Sequence, residues 1–289
     1  MEKFVSETIT FGQVENNSLK PDLFEWHKEL FQNRKERFGI PTGFEDLDML
    51  LGGFQPSTYM ILVASPSAGK TSFALNLALH ASEKDVCLYF IMEMSKQQLL
   101  KRAISVAADF DTSNRIEHYT LKEKLQLTDA FQRLAHSNLH IFDSCKMNTS
   151  YIHSKIKEMR MRYGEEKRIL VVIDYLQLLV GHSSIQNLNQ ELDKISIELK
   201  KVAHETSVTI LALSSLKRPA KGTSHTLSEL NDYEQHADIV GLLTSDRWSI
   251  CKEAELTITK HRNGNVGVLL FVFNKASGKF ISSTMLSKV

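Results

Sequence analysis

The sequence predicts an α/β fold in which flanking helices cover a mostly parallel central sheet. Short apolar runs, typical of strands buried on both faces, alternate along the chain with longer stretches at helical spacing. A glycine-containing loop joins the first of these runs to a helix. Two alternating segments about Asn263-Gly264-Asn265 predict an antiparallel hairpin at one edge of the sheet, near the carboxyl terminus.

The first part of the chain differs in character from the rest. Residues 1–20 have little periodicity, whereas residues 23–37 form an amphipathic helical pattern. We therefore expect residues 1–37 to be an arm and linker helix and residues 38–289 to be the main domain. The apolar face of this helix packs either on its own domain or on a neighbouring subunit, and both interpretations stay open.

The main domain divides into strands and helices that follow one another in a regular order. A short helix capped by Thr42 or Gly43 is expected before the first strand. Ser95 and Gln98 form a capping box for a helix whose inner side would hold Leu99, Leu100, Ala103 and Ile104. The predicted strands are residues 59–63, 86–92, 139–142, 169–173, 208–213, 238–243, 255–260 and 266–273, and the other main helices are residues 72–79, 121–137, 150–163 and 187–204.

Composition limits the function classes. The chain has 289 residues, of which 42% are hydrophobic and 24% charged, as suits one large α/β domain. The net charge of +1 gives no overall basic field, so a nucleic-acid partner must be argued from particular residues. The three widely spaced cysteines suggest neither a disulfide framework nor a zinc site. No signal peptide and no apolar run near ~20 residues is present, so we expect a cytoplasmic protein without a membrane partner.

Residues 64–71, read ASPSAGKT, have the context of a phosphate-binding loop, with a strand before them and a helix after them. Backbone N–H groups and the helix dipole attract an anion there. Lys70 is expected to reach the terminal phosphates, and the Thr71 hydroxyl to hold Mg²⁺. Ala64 replaces the usual first glycine, and Gly-Lys-Thr also occurs in ordinary turns, so the assignment depends on the flanking elements. The predicted nucleotide-binding residues are Ser65, Pro66, Ser67, Ala68, Gly69, Lys70, Thr71 and Ser72.

Two carboxylates follow predicted strands of the same sheet. Glu93 comes after residues 86–92, and Asp174 directly follows residues 169–173. Open α/β sheets bind ligands at the carboxyl ends of their strands. Asp174 is suited to hold Mg²⁺, and Glu93 to orient or deprotonate an attacking water. Either residue alone could be a helix cap, whereas both carboxylates together with the loop predict nucleotide hydrolysis.

The chain resembles the RecA-like motor domain of DnaB-type replicative helicases from roughly Phe38 to the carboxyl terminus. The family's phosphate loop also begins with alanine. The resemblance implies a RecA-like P-loop NTPase fold, ATP and Mg²⁺ as cofactors, a homohexameric ring and single-stranded DNA as a partner. It is carried by residues 39–44 with Gly52-Gly53, 64–71 (ASPSAGKT), 92–95 (MEMS), 173–178 (IDYLQL), 234–238 (EQHAD) and 260–264 (KHRNG).

The resemblance also implies roles for individual residues. It makes Glu93 the catalytic glutamate, and it makes Lys260 and Arg262 a lysine and an arginine finger for the next subunit's ATP. The sequence alone would favour a solvated hairpin. An arginine so far along the chain has no obvious route to its own phosphate loop, but it can meet a neighbour's γ-phosphate across a ring interface.

Other family features bear on partners. The family's amino-terminal collar domain, which meets primase, is expected to be absent. Primase or a helicase loader is a further expected partner.

Two positions depart from the family pattern. Ser215 stands where the family usually has a glutamine that senses the γ-phosphate and couples it to the DNA loop. Residues 230–233 are shorter than the family's DNA-gripping loop and lack its basic residue. Lys217, Arg218 and Lys221 could replace the lost backbone contacts or form a solvated basic loop.

Our main functional prediction is an ATP-dependent, DnaB-like replicative DNA helicase motor. It would hydrolyse ATP at subunit interfaces and translocate on single-stranded DNA. The alternatives are a nucleotide-dependent assembly or regulatory module that does not unwind DNA, and a recombinase-like filament ATPase.

Overall fold

The computed structural model describes residues 39–65, 67–144, 147–179, 188–216, 235–245 and 251–283. The predicted arm and linker helix lie outside these residues. None of the described helices combines the length and the apolar character needed to cross a bilayer. The helices are α1 Glu45–Leu51, α2 Lys70–Ala81, α3 Lys96–Ala108, α4 Leu121–His136, α5 Thr149–Tyr163 and α6 Leu188–Glu205. The strands are β1 Tyr59–Ala64, β2 Val86–Ile91, β3 Leu139–Phe142, β4 Ile169–Asp174, β5 Thr209–Ser215, β6 Ile239–Ser245, β7 Cys251–His261, β8 Gly267–Asn274 and β9 Lys279–Ser282.

All of the described strands join one sheet, in the order β3-β2-β4-β5-β1-β6-β7-β8-β9. The pairs from β3 to β6 are parallel. The pairs β6–β7, β7–β8 and β8–β9 are antiparallel. The predicted α/β fold with a mostly parallel sheet and a carboxyl-terminal hairpin is therefore confirmed. Strand β9, which extends the hairpin, was not predicted.

Both faces of the parallel half are covered, so β1, β2 and β4 are buried at every residue. Phe73 and Leu77 of α2 pack in the core on one face. Ile152 of α5 and Leu199 of α6 pack in the core on the other face. Because helices block both faces, a polar ligand can approach these strands only where they end. The fold thus directs chemistry to the carboxyl-terminal edge of the parallel strands.

Two local predictions are wrong. Phe44, not Thr42 or Gly43, occupies the position before α1 and gives no side-chain cap. The Thr42 hydroxyl instead exchanges 3.2 Å hydrogen bonds with the backbone of Phe44. Leu100 is 43% exposed, because the buried stripe of α3 runs through residues 99, 103 and 106. The predicted capping box of Ser95 and Gln98 is confirmed.

Candidate active site

The loop between β1 and α2 turns sharply at the carboxyl end of β1. Gly69 adopts a φ of 91° directly before α2, and a Cβ atom there would lie 2.8 Å from the ring of Phe273. Glycine is therefore required at this position both by the backbone and by the packing. Helix α2 begins at Lys70, so its first N–H groups, which have no partner within the helix, point out of the end of the sheet. Pro66 lies outside the described residues.

Lys70 extends across the end of the sheet. Its Nζ donates a 2.6 Å hydrogen bond to Oγ of Ser215, and it lies 4.2 Å from the ring centroid of Tyr175. Burial lowers the pKa of Lys70, while the negative charges of Asp174 and Glu93 oppose that shift. The two carboxylates predicted from separate strands therefore act on this one ammonium group.

Asp174 is completely buried at the end of β4. Its Oδ2 accepts a 3.2 Å hydrogen bond from the hydroxyl of Tyr89, and the Thr71 side chain is close enough to the carboxylate to lower its pKa. Burial raises the pKa of Asp174, and the positive charge of Lys70 is the strongest influence that lowers it. Oδ1 is buried with no hydrogen-bond partner in the described part of the chain. An unused buried carboxylate oxygen of this kind is costly unless a cation or a water binds it.

The Asp174 and Thr71 oxygens fit a magnesium ion. Magnesium prefers oxygen ligands and usually takes one or two carboxylates, the rest of its shell being water and substrate phosphates. Within the described residues no group of three or more His, Cys, Asp or Glu side chains could hold a metal by itself. The protein oxygens present at this site therefore suit a metal that arrives with a phosphate ligand.

Glu93 is exposed at the end of β2, two residues beyond the Ile91–Asp174 pair of the sheet. The backbone N–H of Met92 donates to the Asp174 carbonyl at 3.1 Å, which ties the ends of β2 and β4 together. Burial raises the pKa of Tyr175, whose ring lies beside Lys70, and the Glu93 charge adds to that rise. Glu93 is thus near the same site as Lys70 and Asp174, and it is accessible to water.

Lys260 and Arg262 lie at the opposite edge of the sheet. Lys260 of β7 pairs with Val240, near the start of β6, whereas Ala64 at the phosphate loop pairs with Leu243. Three strand residues separate these positions along β6, or about 10 Å. The structure therefore does not bring Arg262 to the phosphate loop of its own chain.

Asp238 holds Arg262 at that edge. The Arg262 backbone N–H donates to the Asp238 carbonyl at 2.9 Å, and its Nε lies 3.6 Å from Asp238 Oδ1. The same carboxylate forms a 2.7 Å ion pair with Lys200 and accepts a 3.1 Å hydrogen bond from the Tyr59 N–H. The Arg262 side chain remains 49% exposed. Asp238 thus fixes the backbone of the arginine and pairs with its guanidinium, while about half of the side chain stays exposed.

Sequence reasoning missed several contributors to this site. Tyr89 and Tyr175 were not singled out, because one is inside an apolar strand and the other is part of a motif. Gln177 and Asp238 were noted only within matching segments. The basic residues Lys217, Arg218 and Lys221, and residues 230–233, lie outside the described residues.

The chain is similar to known helicases and to a helicase domain family. Residues 39–282 match the family model of the DnaB-like helicase C terminal domain. The replicative DNA helicase DnaB of Geobacillus stearothermophilus and the replicative DNA helicase DnaC of Bacillus subtilis strain 168 are each 35% identical to this chain over 271 residues. These alignments cover 88% of this chain and 59% of each relative, so the chain spans about three fifths of their length.

Two solved structures are similar in fold. One, an isolated ATPase domain, superposes with a TM-score of 0.83 at 30% identity, covering 93% of this chain and 99% of that one. A DnaB-like replicative helicase, solved in a study of its interactions with primase, gives a TM-score of 0.79 at 29% identity, covering 97% and 70%. The chain therefore belongs to the DnaB-like helicase C-terminal domain family.

Proposed function

We propose that this chain hydrolyses ATP with Mg²⁺ at interfaces between its own copies and moves along single-stranded DNA, as the motor of a DnaB-like replicative helicase. The observation that carries the proposal is the division of the reactive groups between two edges of one sheet. Lys70, Asp174 and Glu93 are gathered at one edge, and Arg262 is about half exposed at the other.

In the proposed reaction, water attacks the γ-phosphorus in line and the bond to the bridging oxygen of ADP breaks. Glu93 accepts the proton of the attacking water, because it is exposed beside Lys70. Lys70 binds the terminal phosphate oxygens, and the first N–H groups of α2 bind the phosphate behind them. Thr71 and Asp174 would hold Mg²⁺, which would supply positive charge to neutralise the phosphates. The products are ADP and inorganic phosphate.

The second half of the site would come from another copy. The partner subunit's Arg262 and Lys260 would stabilise the charge on the transferred phosphoryl group. Val266, just before β8, and Val268 and Leu270 within β8 are between 57% and 59% exposed, and β8 pairs with β7. An exposed apolar surface of this kind is typical of a contact between proteins. It supports assembly of copies through the antiparallel strands that follow Arg262 in the chain, as in a homohexameric ring.

The nucleoside has room beside the phosphate loop. A cavity of about 730 Å³ opens at Ser72 in the first turn of α2, with Arg102 and Gly278 among its lining residues. This volume is within the usual range for small-molecule sites. We propose that the base and ribose enter this cavity while the phosphates lie along the loop.

DNA and protein partners extend the proposal beyond the described residues. Lys217, Arg218 and Lys221 would contact the phosphates of single-stranded DNA. Primase is proposed as a partner because a structural relative is reported with interactions with primase. A helicase loader is the alternative protein partner.

The test is the ATPase rate with and without single-stranded DNA over a range of protein concentration. We expect the rate per copy to rise with concentration, because each site needs a partner, and to rise further with DNA. A rate per copy that is constant with concentration and unaffected by DNA would contradict the proposal.

A second candidate is a nucleotide-dependent assembly module that does not unwind DNA. Ser215 favours this second candidate, because it stands where the family usually has a glutamine. The serine side chain contacts Lys70 and is too short to reach further. Strand displacement on a forked DNA substrate separates the two candidates. ATP hydrolysis without displacement at any protein concentration would select the assembly module.

A further inference from the structure

Ser215 is the last residue of β5, and its side chain contacts the phosphate loop. Strands β1 and β5 are neighbours, and Ala64 pairs directly with Ser215. From there the Ser215 hydroxyl accepts the 2.6 Å hydrogen bond from Lys70 Nζ. A hydrogen bond from an ammonium to an oxygen is among the stronger ones in proteins. The serine thus lies where it can set the direction of Lys70.

The end of β5 is itself held in place. Gln177 Nε2 donates to Ser214 Oγ at 2.6 Å and lies 3.3 Å from the Ser215 carbonyl oxygen. The N–H of Leu216 donates to the Ala64 carbonyl at 3.1 Å. Ser215 therefore cannot move away without breaking contacts to both the phosphate loop and the segment after β4.

Lys70 is enclosed on a second side. Its Nζ lies 4.2 Å from the ring centroid of Tyr175, a favourable cation–π distance. An ammonium group has three N–H donors, and the serine hydroxyl accepts one of them. The remaining donors are left for phosphate oxygens, so the contact with Ser215 is compatible with phosphate binding.

We infer that Ser215 is a positioning residue that directs Lys70 toward the phosphates before nucleotide binds, with Gln177 fixing the strand end that carries it. The inference rests on the proposed function of Lys70. It gives the serine a role different from the family's glutamine, because Ser215 acts through Lys70 and does not touch the phosphate.

A double-mutant cycle on nucleotide binding tests the inference. The dissociation constant of a fluorescent ATP analogue with Mg²⁺ is measured for the full chain and for Ser215→Ala, Lys70→Ala and the double variant. We expect Ser215→Ala to weaken binding about tenfold, the effect of losing one charge-assisted hydrogen bond. In the Lys70→Ala background the same change should have almost no effect on binding, because the ammonium that Ser215 directs is gone.

Two further variants separate positioning from general damage. Ser215→Thr keeps the hydroxyl and should restore binding and kcat to within about threefold of wild type. Ser154→Ala removes an exposed hydroxyl on α5 and should change neither. An equal loss from Ser215→Ala with and without Lys70 would overturn the inference, as would tighter binding by Ser215→Ala. Absence of nucleotide binding by the wild-type chain would instead overturn the proposed function.

Discussion

The two edges of the sheet that carry the proposed active-site residues differ in how completely one chain builds them. At the carboxyl-terminal edge, Asp174 is fully buried and Thr71 is 9% exposed, and strands β1, β2, β4 and β5 each place residues around them. At the opposite edge, the Arg262 side chain is 49% exposed and pairs with the Asp238 carboxylate. One chain thus supplies most of a phosphate site, whereas its arginine lies at the opposite edge and is about half exposed. This contrast is why we propose that copies share catalysis and that assembly controls it.

We call the carboxyl-terminal edge, which carries Lys70, Asp174 and Glu93, the phosphate edge. The largest effect is expected from removing its lysine. Lys70→Ala should abolish hydrolysis, because the terminal phosphates lose the side chain that would bind them. Steady-state release of phosphate measures the effect. Lys122→Ala, which alters an exposed lysine on α4, is the control and should retain wild-type turnover. Turnover at the wild-type rate in Lys70→Ala would show that this edge is not the active site.

Asp174→Asn should separate activity from stability at the same edge. Hydrolysis should fall about a hundredfold or more, since a metal ligand is lost. Burial raises the Asp174 pKa, so the folded chain favours the neutral acid. Without metal and nucleotide, the free energy of unfolding therefore falls as the pH rises above the usual carboxyl range.

The stability of Asp174→Asn can be measured directly. Because asparagine carries no charge, the variant should melt at a higher Tm than wild type at pH ~8 in EDTA, and the gain should shrink toward pH ~4. Thermal unfolding at both pH values gives the result. A lower Tm for the variant at the higher pH would mean that the carboxylate is satisfied without metal.

At the opposite edge the expected effect is smaller. Asp238→Asn keeps an oxygen for the Tyr59 N–H but removes the charge that holds Arg262 and Lys200. Partly exposed ion pairs contribute about 0.2–1 kcal/mol, so kcat should fall less than about tenfold with little change in nucleotide affinity. Asp129→Asn, which breaks an exposed ion pair with Arg133 on α4, is the matched control. A loss as large as that of Lys70→Ala would mean that Asp238 does more than hold the finger.

Most of the phosphate edge could be predicted from the sequence, for a physical reason. Parallel strands covered on both faces must be apolar throughout, so each run ends visibly at a polar residue, as at Glu93 and Asp174. All such ends meet at one edge of the sheet. The loop of residues 64–71 could be placed for the same reason.

The contacts across strands could not be predicted from the sequence. The Lys70–Ser215 and Tyr89–Asp174 hydrogen bonds depend on strand order and register, which no local pattern contains. Strand β9 could not be predicted because it is only four residues long. Its burial depends on Phe280, whose ring stacks on that of Phe273 with 4.2 Å between the two ring centroids. The position of Arg262, away from its own phosphate loop, likewise depends on the antiparallel pairing of β7 with β6.

Each active site, in this proposal, combines the phosphate edge of one copy with Arg262 of another. Arg262→Ala alone should keep nucleotide affinity within about twofold and lose ~10³-fold or more in kcat, and Glu93→Gln alone should be inactive.

The decisive experiment is the ATPase rate of the two variants co-assembled at varied ratios. In a mixed assembly, a Glu93→Gln copy still has Arg262, and an Arg262→Ala copy still has an intact phosphate edge. Contact between the two copies would therefore complete one active site. We expect a rate well above the sum of the separate variants, highest near equal amounts. A mixture that never exceeds that sum at any ratio, although the two variants are shown to assemble together, would rule out sharing of the site between copies.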